Sequence, residues 1–224
     1  MNKVNYVQTG IATGTLTSNP AKVLRNTYLL LSMTLLFSAV TASVAMLLGL
    51  GRGAALMLTL VSFGLLFWVR RTEDSAQGII AVFAFTGCMG AALGPMLSFY
   101  LAMQQGPTIV MQALAGTALV FLTLSGYAMA SRKDFSFLGG FLMTGLVIVL
   151  VASLANIFLQ IPVLSLAIPA AVVLVMSGLI LFDTSRIVLG GETNYLRATV
   201  SLYLNVYNLF TSLLQLLGIF NSDD

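Results

Sequence analysis

The sequence predicts an all-α fold: a polytopic membrane protein of seven transmembrane helices. Three observations carry that prediction. The first is composition. Of 224 residues, 58% are hydrophobic and only 8% are charged, and the mean hydropathy is +1.00. A water-soluble domain built this way would leave apolar surface exposed everywhere. The second is length. A helix needs about 20 apolar residues to cross a ~30 Å hydrocarbon core, and the chain offers seven such runs. The third is charge. When the runs alternate across a membrane, nine of the ten Lys and Arg residues fall on one side, and cytoplasmic loops carry such an excess.

Residues 1–21 are polar and read as a mobile tail. Lys22 and Arg25 precede the first apolar run, Tyr28 to Leu50. A signal peptide is the competing reading, with small residues near Ala42 imitating a cleavage site. The polar lead is too long for that, and the run is long enough to span. Span two runs from Gly53 to Val69 and stops at Arg70-Arg71. Span three covers Ala76 to Met103 and span four Pro107 to Ala130, with Arg132-Lys133 after it. Span five runs from Phe135 to Leu159. Gln160-Ile161-Pro162 turns the chain into span six, which ends near Val188. The loop GGETNYLR leads to span seven, Ala198 to Phe220. Residues 22–220 therefore form one transmembrane domain, and residues 221–224 are a short acidic end. With a cytoplasmic N-terminus, Lys3, Lys22, Arg25, Arg70, Arg71, Arg132, Lys133, Arg186 and Arg197 lie inside. Arg52 alone lies outside, and the C-terminus is periplasmic.

Gly90 and Gly94, extended by Gly87, form a GxxxG face. Gly140 and Thr144 form a second small-xxx-small pair. Both are expected to let helices approach closely within the bundle, with homodimerisation as the alternative.

Several chemistries are excluded. The chain has no His, which removes Ser-His nucleophilic pairs, imidazole metal sites and the usual near-neutral pH switch. A single Cys, Cys88, allows no intramolecular disulfide and argues against zinc. The net charge of +3 sits at span ends, as topology requires, and does not indicate nucleic acid. No cofactor motif is present, and Gly190-Gly191 is a turn.

Polar chemistry concentrates in spans six and seven. Ser201, Asn205, Asn208 and Ser212 fall within an arc of roughly 60° on span seven. Lipid cannot satisfy such a stripe, so it must face protein or water. It is either interhelical glue or the wall of a hydrophilic pathway, and either places span seven centrally. Asp183 lies inside span six, where a carboxylate is a functional candidate by default. An ion pair joining two helices is the structural alternative. Asp183-Thr184-Ser185 imitates the aspartic-protease triplet, but that chemistry needs a second carboxylate. No other Asp or Glu lies within a span, so no enzyme activity is expected.

The segments RKDFSFLGG (132–140), ANIFLQ (155–160), FDTSRIVLGGETNYLRATVSLYLNVYNLFTSLL (182–214) and GIFNSDD resemble the Bax inhibitor family. KVLRNTY (22–28) and AFTG (84–87) are most similar to its YccA branch in Gram-negative bacteria. The resemblance implies six helices around a central seventh, in a bacterial inner membrane. It also implies that some members leak calcium through a pH-sensitive gate of two aspartates and an arginine. Asp183 matches the first aspartate and Arg70 in FWVR matches the arginine. The second aspartate is replaced by Asn205, which cannot ionise and ligates a hard cation weakly. Weak or absent calcium flux is therefore expected. The YccA branch implies a partner instead: the membrane protease FtsH, bound as substrate and modulator. Two functions follow. One is a non-enzymatic FtsH modulator. The alternative is a calcium or proton leak gated by Asp183 with Arg70.

Overall fold

A computed structural model describes residues 19–221. The expected mobile tail up to residue 18 and the acidic end at 222–224 lie outside the described residues. The described chain is seven antiparallel helices: α1 (Pro20–Leu47), α2 (Arg52–Thr72), α3 (Gln77–Leu101), α4 (Gly106–Ser131), α5 (Leu138–Leu159), α6 (Pro162–Val188) and α7 (Tyr195–Phe220). All seven are long and apolar enough to cross a membrane. The span count read from the sequence is therefore correct.

Helix ends differ from the sequence reading by a few residues, and α1 differs most. It starts at Pro20 rather than Tyr28, so Lys22 and Arg25 lie on its first turns. The reason is local. Proline fits the first helical position because its missing N–H has no intrahelical partner there. Asn19 caps the helix, its Oδ1 accepting from Ala21 N at 3.0 Å. The expected tail boundary at residue 21 moves accordingly to Asn19. Elsewhere Pro162 opens α6 in the same position. Several hydroxyls within the spans donate back one turn, as Ser62 does to Leu58 O and Ser153 to Val149 O, both polar groups that lipid would otherwise strand.

Burial locates the centre. Half of the apolar window of α7 is buried, against 6% for α5. Only Arg197, Gln215 and Phe220 on α7 are exposed. Helices α1, α3, α4 and α6 pack directly along α7. Helix α2 packs on α3 and α5 on α6, so these two form an outer tier. Helix α3 is as enclosed as α7, through close approach rather than polarity. A Cβ on Gly87 would sit 2.7 Å from Phe37 Cε1, and one on Gly94 would sit 2.6 Å from Ala45 Cβ. A Cβ on Gly90 would collide with Ser38 O and Thr41 Oγ1. The GxxxG face thus packs against α1 within one chain. The Gly140–Thr144 pair does not pack: a Cβ on Gly140 meets nothing within 4 Å, and Thr144 is exposed. Its neighbours Gly139 and Gly145 face α6 instead, against Phe182 and Val175.

Candidate functional site

The site is built by the α6–α7 hairpin. Helix α6 ends in a Schellman motif. Gly190, at φ +79°, supplies the left-handed residue, and Gly191 N donates to Arg186 O at 2.8 Å. Asn194 then caps α7, its Oδ1 accepting from Leu196 N at 2.9 Å and Arg197 N at 3.2 Å. This tight return sets the register of the two helices and brings Asp183 against α7. Ser201 and Asn205, one turn apart, point the same way.

Asp183 Oδ2 accepts from Ser201 Oγ at 2.5 Å and from Asn205 Nδ2 at 2.8 Å. The amide at position 205 sets the chemistry of the pair. A carboxylate there would add a second acceptor and a second charge. The amide instead donates a hydrogen bond to Asp183. Among the described residues Asp183 is in no ion pair within 4.0 Å. The link joining α6 to α7 here is a pair of side-chain hydrogen bonds rather than a salt bridge.

The next two residues fasten α6 from other sides. Thr184 Oγ1 lies 3.2 Å from Tyr28 OH on α1 and 3.3 Å from Ser125 Oγ on α4. Ser185 Oγ donates to Lys133 O at 2.9 Å and accepts from Phe135 N at 3.3 Å. The triplet that imitates a protease signature is a three-way fastening: Asp183 to α7, Thr184 to α1 and α4, Ser185 to the α4–α5 turn. In that turn Asp134 accepts from Ser136 N at 2.8 Å, and Ser136 holds its carboxyl below the usual carboxylate range.

Asp183 borders a cavity of about 390 Å³ that also touches Arg70, Glu73, Arg186, Glu192 and Arg197. Four of the charged side chains here, Glu73, Arg186, Glu192 and Arg197, pair with one another. Arg197 lies 3.5 Å from both Glu73 and Glu192, and Arg186 lies 3.7 Å from Glu192. Glu192 is buried at 8% exposure, and its Oε1 also accepts from Thr193 N and Asn194 N at 3.0 Å. Asn194 Nδ2 donates to Glu73 O and to Asp74 Oδ1, both at 2.9 Å. The α6–α7 loop is thereby tied to the α2–α3 turn beside the cavity.

Of the sequence candidates, Asp183, Asn205 and Ser201 are brought into contact. Arg70 shares the cavity with Asp183 but forms no ion pair with it, and it is exposed. The rest of the polar stripe turns away from Asp183. Asn208 Nδ2 donates to Leu204 O at 2.8 Å, and Ser212 is buried deeper in the bundle. The two lie outside the cavity lining. The pairing of Glu192 with Arg186 and Arg197 was missed. Its signal was Asn194, a capping residue type directly before an apolar run. Among the described residues no group of three or more His, Cys, Asp or Glu could hold a metal ion.

Seven apolar helices with a carboxylate fastened on the central one define a multi-pass membrane protein. Residues 20–222 match the family described as inhibitor of apoptosis-promoting Bax1, and the chain belongs to this Bax inhibitor family. It is 56% identical over 203 residues to the modulator of FtsH protease YccA of Escherichia coli strain K12, covering 90% of this chain and 92% of that protein. It is 52% identical to an uncharacterized membrane protein of Vibrio cholerae over the whole of both chains. A Pseudomonas aeruginosa protein of unstated function is 46% identical, over 90% of this chain and 91% of the relative.

Proposed function

We propose that the chain is an inner-membrane modulator of the ATP-dependent membrane protease FtsH, without catalytic activity of its own. The observation that carries this reading is the 56% identity to a protein named for that role, extending over 90% of the chain. That protein is also named as an inner membrane protein in a second Escherichia coli strain. The helix arrangement agrees with it. In this reading the eight described cations at one end of the bundle face the cytoplasm, as the rule for cytoplasmic loops expects, and the N-terminus lies inside. The segment before Asn19 then enters the compartment where an ATP-driven protease acts, and it can be the end that FtsH grips. Asn19 and Pro20 start α1, so residues up to 18 can be removed without touching α1. Deleting residues 2–18 should lengthen the protein's lifetime in cells containing FtsH, with membrane insertion unchanged. An unchanged lifetime would contradict engagement through the tail.

The cavity reaching Asp183 favours a second reading, an ion leak gated by Asp183 with Arg70. Protons suit this cavity better than calcium, since Asn205 removes one carboxylate and no metal cluster is found among the described residues. In liposomes, Asp183→Asn should alter proton or calcium flux. Flux equal to that of protein-free liposomes would dismiss the leak.

A further inference from the structure

Arg52 stands apart from every other charge in the described chain. All five described carboxylates, Glu73, Asp74, Asp134, Asp183 and Glu192, lie at the opposite end of the bundle. Arg52 is in no ion pair among the described residues. A lone cation on the side that normally avoids them runs against the topological bias, so its presence calls for a reason. It lines a groove of about 500 Å³ between α2, α3 and α7. The groove is polar at one end and apolar along its length. Arg52, Tyr100 and Gln215 form the head, and Leu56 and Met96 wall the stem. From Arg52 to Thr59 the groove follows about 10 Å of helix into the hydrocarbon layer, at 1.5 Å per residue. Gly218 is what allows Tyr100 to sit here, because any Cβ at that position would collide with the ring.

We propose that this groove binds one anionic phospholipid. The phosphate sits at the Arg52 guanidinium, a donor set that matches phosphate oxygens. The Gln215 amide and Tyr100 hydroxyl complete the headgroup contacts, and an acyl chain lies along Leu56 and Met96. The charge of the groove head selects the occupant: among the described residues Arg52 is a single positive charge with no ion-pair partner, which favours an anionic headgroup over a zwitterionic one. The inference is independent of any FtsH partnership.

Native mass spectrometry of the full-length protein in mild detergent tests it. The protein is offered equal amounts of phosphatidylglycerol and phosphatidylcholine with identical chains. A single phosphatidylglycerol should be retained about tenfold over phosphatidylcholine, the scale of one charge-assisted contact. Arg52→Gln should abolish the preference, and Leu56→Trp should reduce retention of both lipids. The double variant Arg132→Gln/Lys133→Gln, at the opposite end, should keep the preference. Equal retention by the wild-type chain, or a preference that survives Arg52→Gln, would overturn the proposal. So would a preference that emerges only after residues 222–224 are removed, because the groove would then belong to the chain's own Asp223 and Asp224. Thermal unfolding of each variant, matched to wild type, separates lost binding from lost structure.

Discussion

Two polar clusters grip α7, and they differ in kind. One is Asp183 with Ser201 and Asn205. It contains a carboxyl group, and it opens into a cavity shared with three arginines and two glutamates. The other is Ser38, Thr86 and Tyr203. Ser38 Oγ lies 2.7 Å from Tyr203 OH and donates to Thr86 O at 2.6 Å. This second cluster is uncharged, nearly fully buried and set against an apolar groove of about 450 Å³. Both satisfy buried polar groups between helices, as lipid requires. Only the first keeps an ionisable group where water and a partner's charge can reach it. What separates the two clusters is a carboxyl group beside an open cavity.

The largest expected effect breaks the sealed cluster. Gly90→Leu would drive a side chain into Ser38 and Thr41 and should cost about 3 kcal/mol, the upper range for overpacking. Unfolding in detergent measures it, with Gly140→Leu as the control that should change little, since its Cβ meets nothing. A similar loss at both glycines would refute the packing assignment. Next, Asp183→Leu strands the Ser201 hydroxyl and the Asn205 amide and should cost about 2 kcal/mol. Asp183→Asn keeps an acceptor and should cost less than about 1 kcal/mol. If the two variants unfold alike, the hydrogen bonds to Asp183 carry no stability. Tyr203→Phe removes one hydroxyl from the sealed cluster and should cost about 1 kcal/mol by the same unfolding assay.

A smaller effect on stability, but a sharper contrast, comes from labelling. In a Cys88→Ala background, Ser201→Cys should react with a hydrophilic thiol reagent, and Ser38→Cys should not. Equal reactivity would erase the distinction between the clusters. Arg197→Gln should cost the least, about 0.5 kcal/mol, because Arg197 is largely exposed and its pairs are screened.

Much of this architecture was readable from residue order. Seven apolar runs and the charge bias give seven spans, because the bilayer sets helix length and cations set orientation. The stripe on span seven placed that helix centrally, because lipid rejects amides and hydroxyls on one face. Three features were not readable. Helix α3 is enclosed through glycines, and a GxxxG face alone does not say which helix fills it. Gly140–Thr144 has the same spacing as Gly90–Gly94 yet faces open space, since spacing fixes a face but not its neighbour. Asp183 and Asn205 meet because of the hairpin register set at Gly190 and Asn194. Arg70 stops short of Asp183 because it leaves the end of α2, in the outer tier of the bundle.

The most direct test of the proposed role is recovery of partners. The full-length protein is withdrawn from native membranes in mild detergent, and the co-purifying proteins are identified by mass spectrometry. A modulator of FtsH brings FtsH with it at near-stoichiometric yield, and that yield falls when residues 2–18 are deleted. Recovery of the chain without FtsH, from membranes that contain the protease, would contradict the modulator role and leave the Asp183 cavity as the place to look for function.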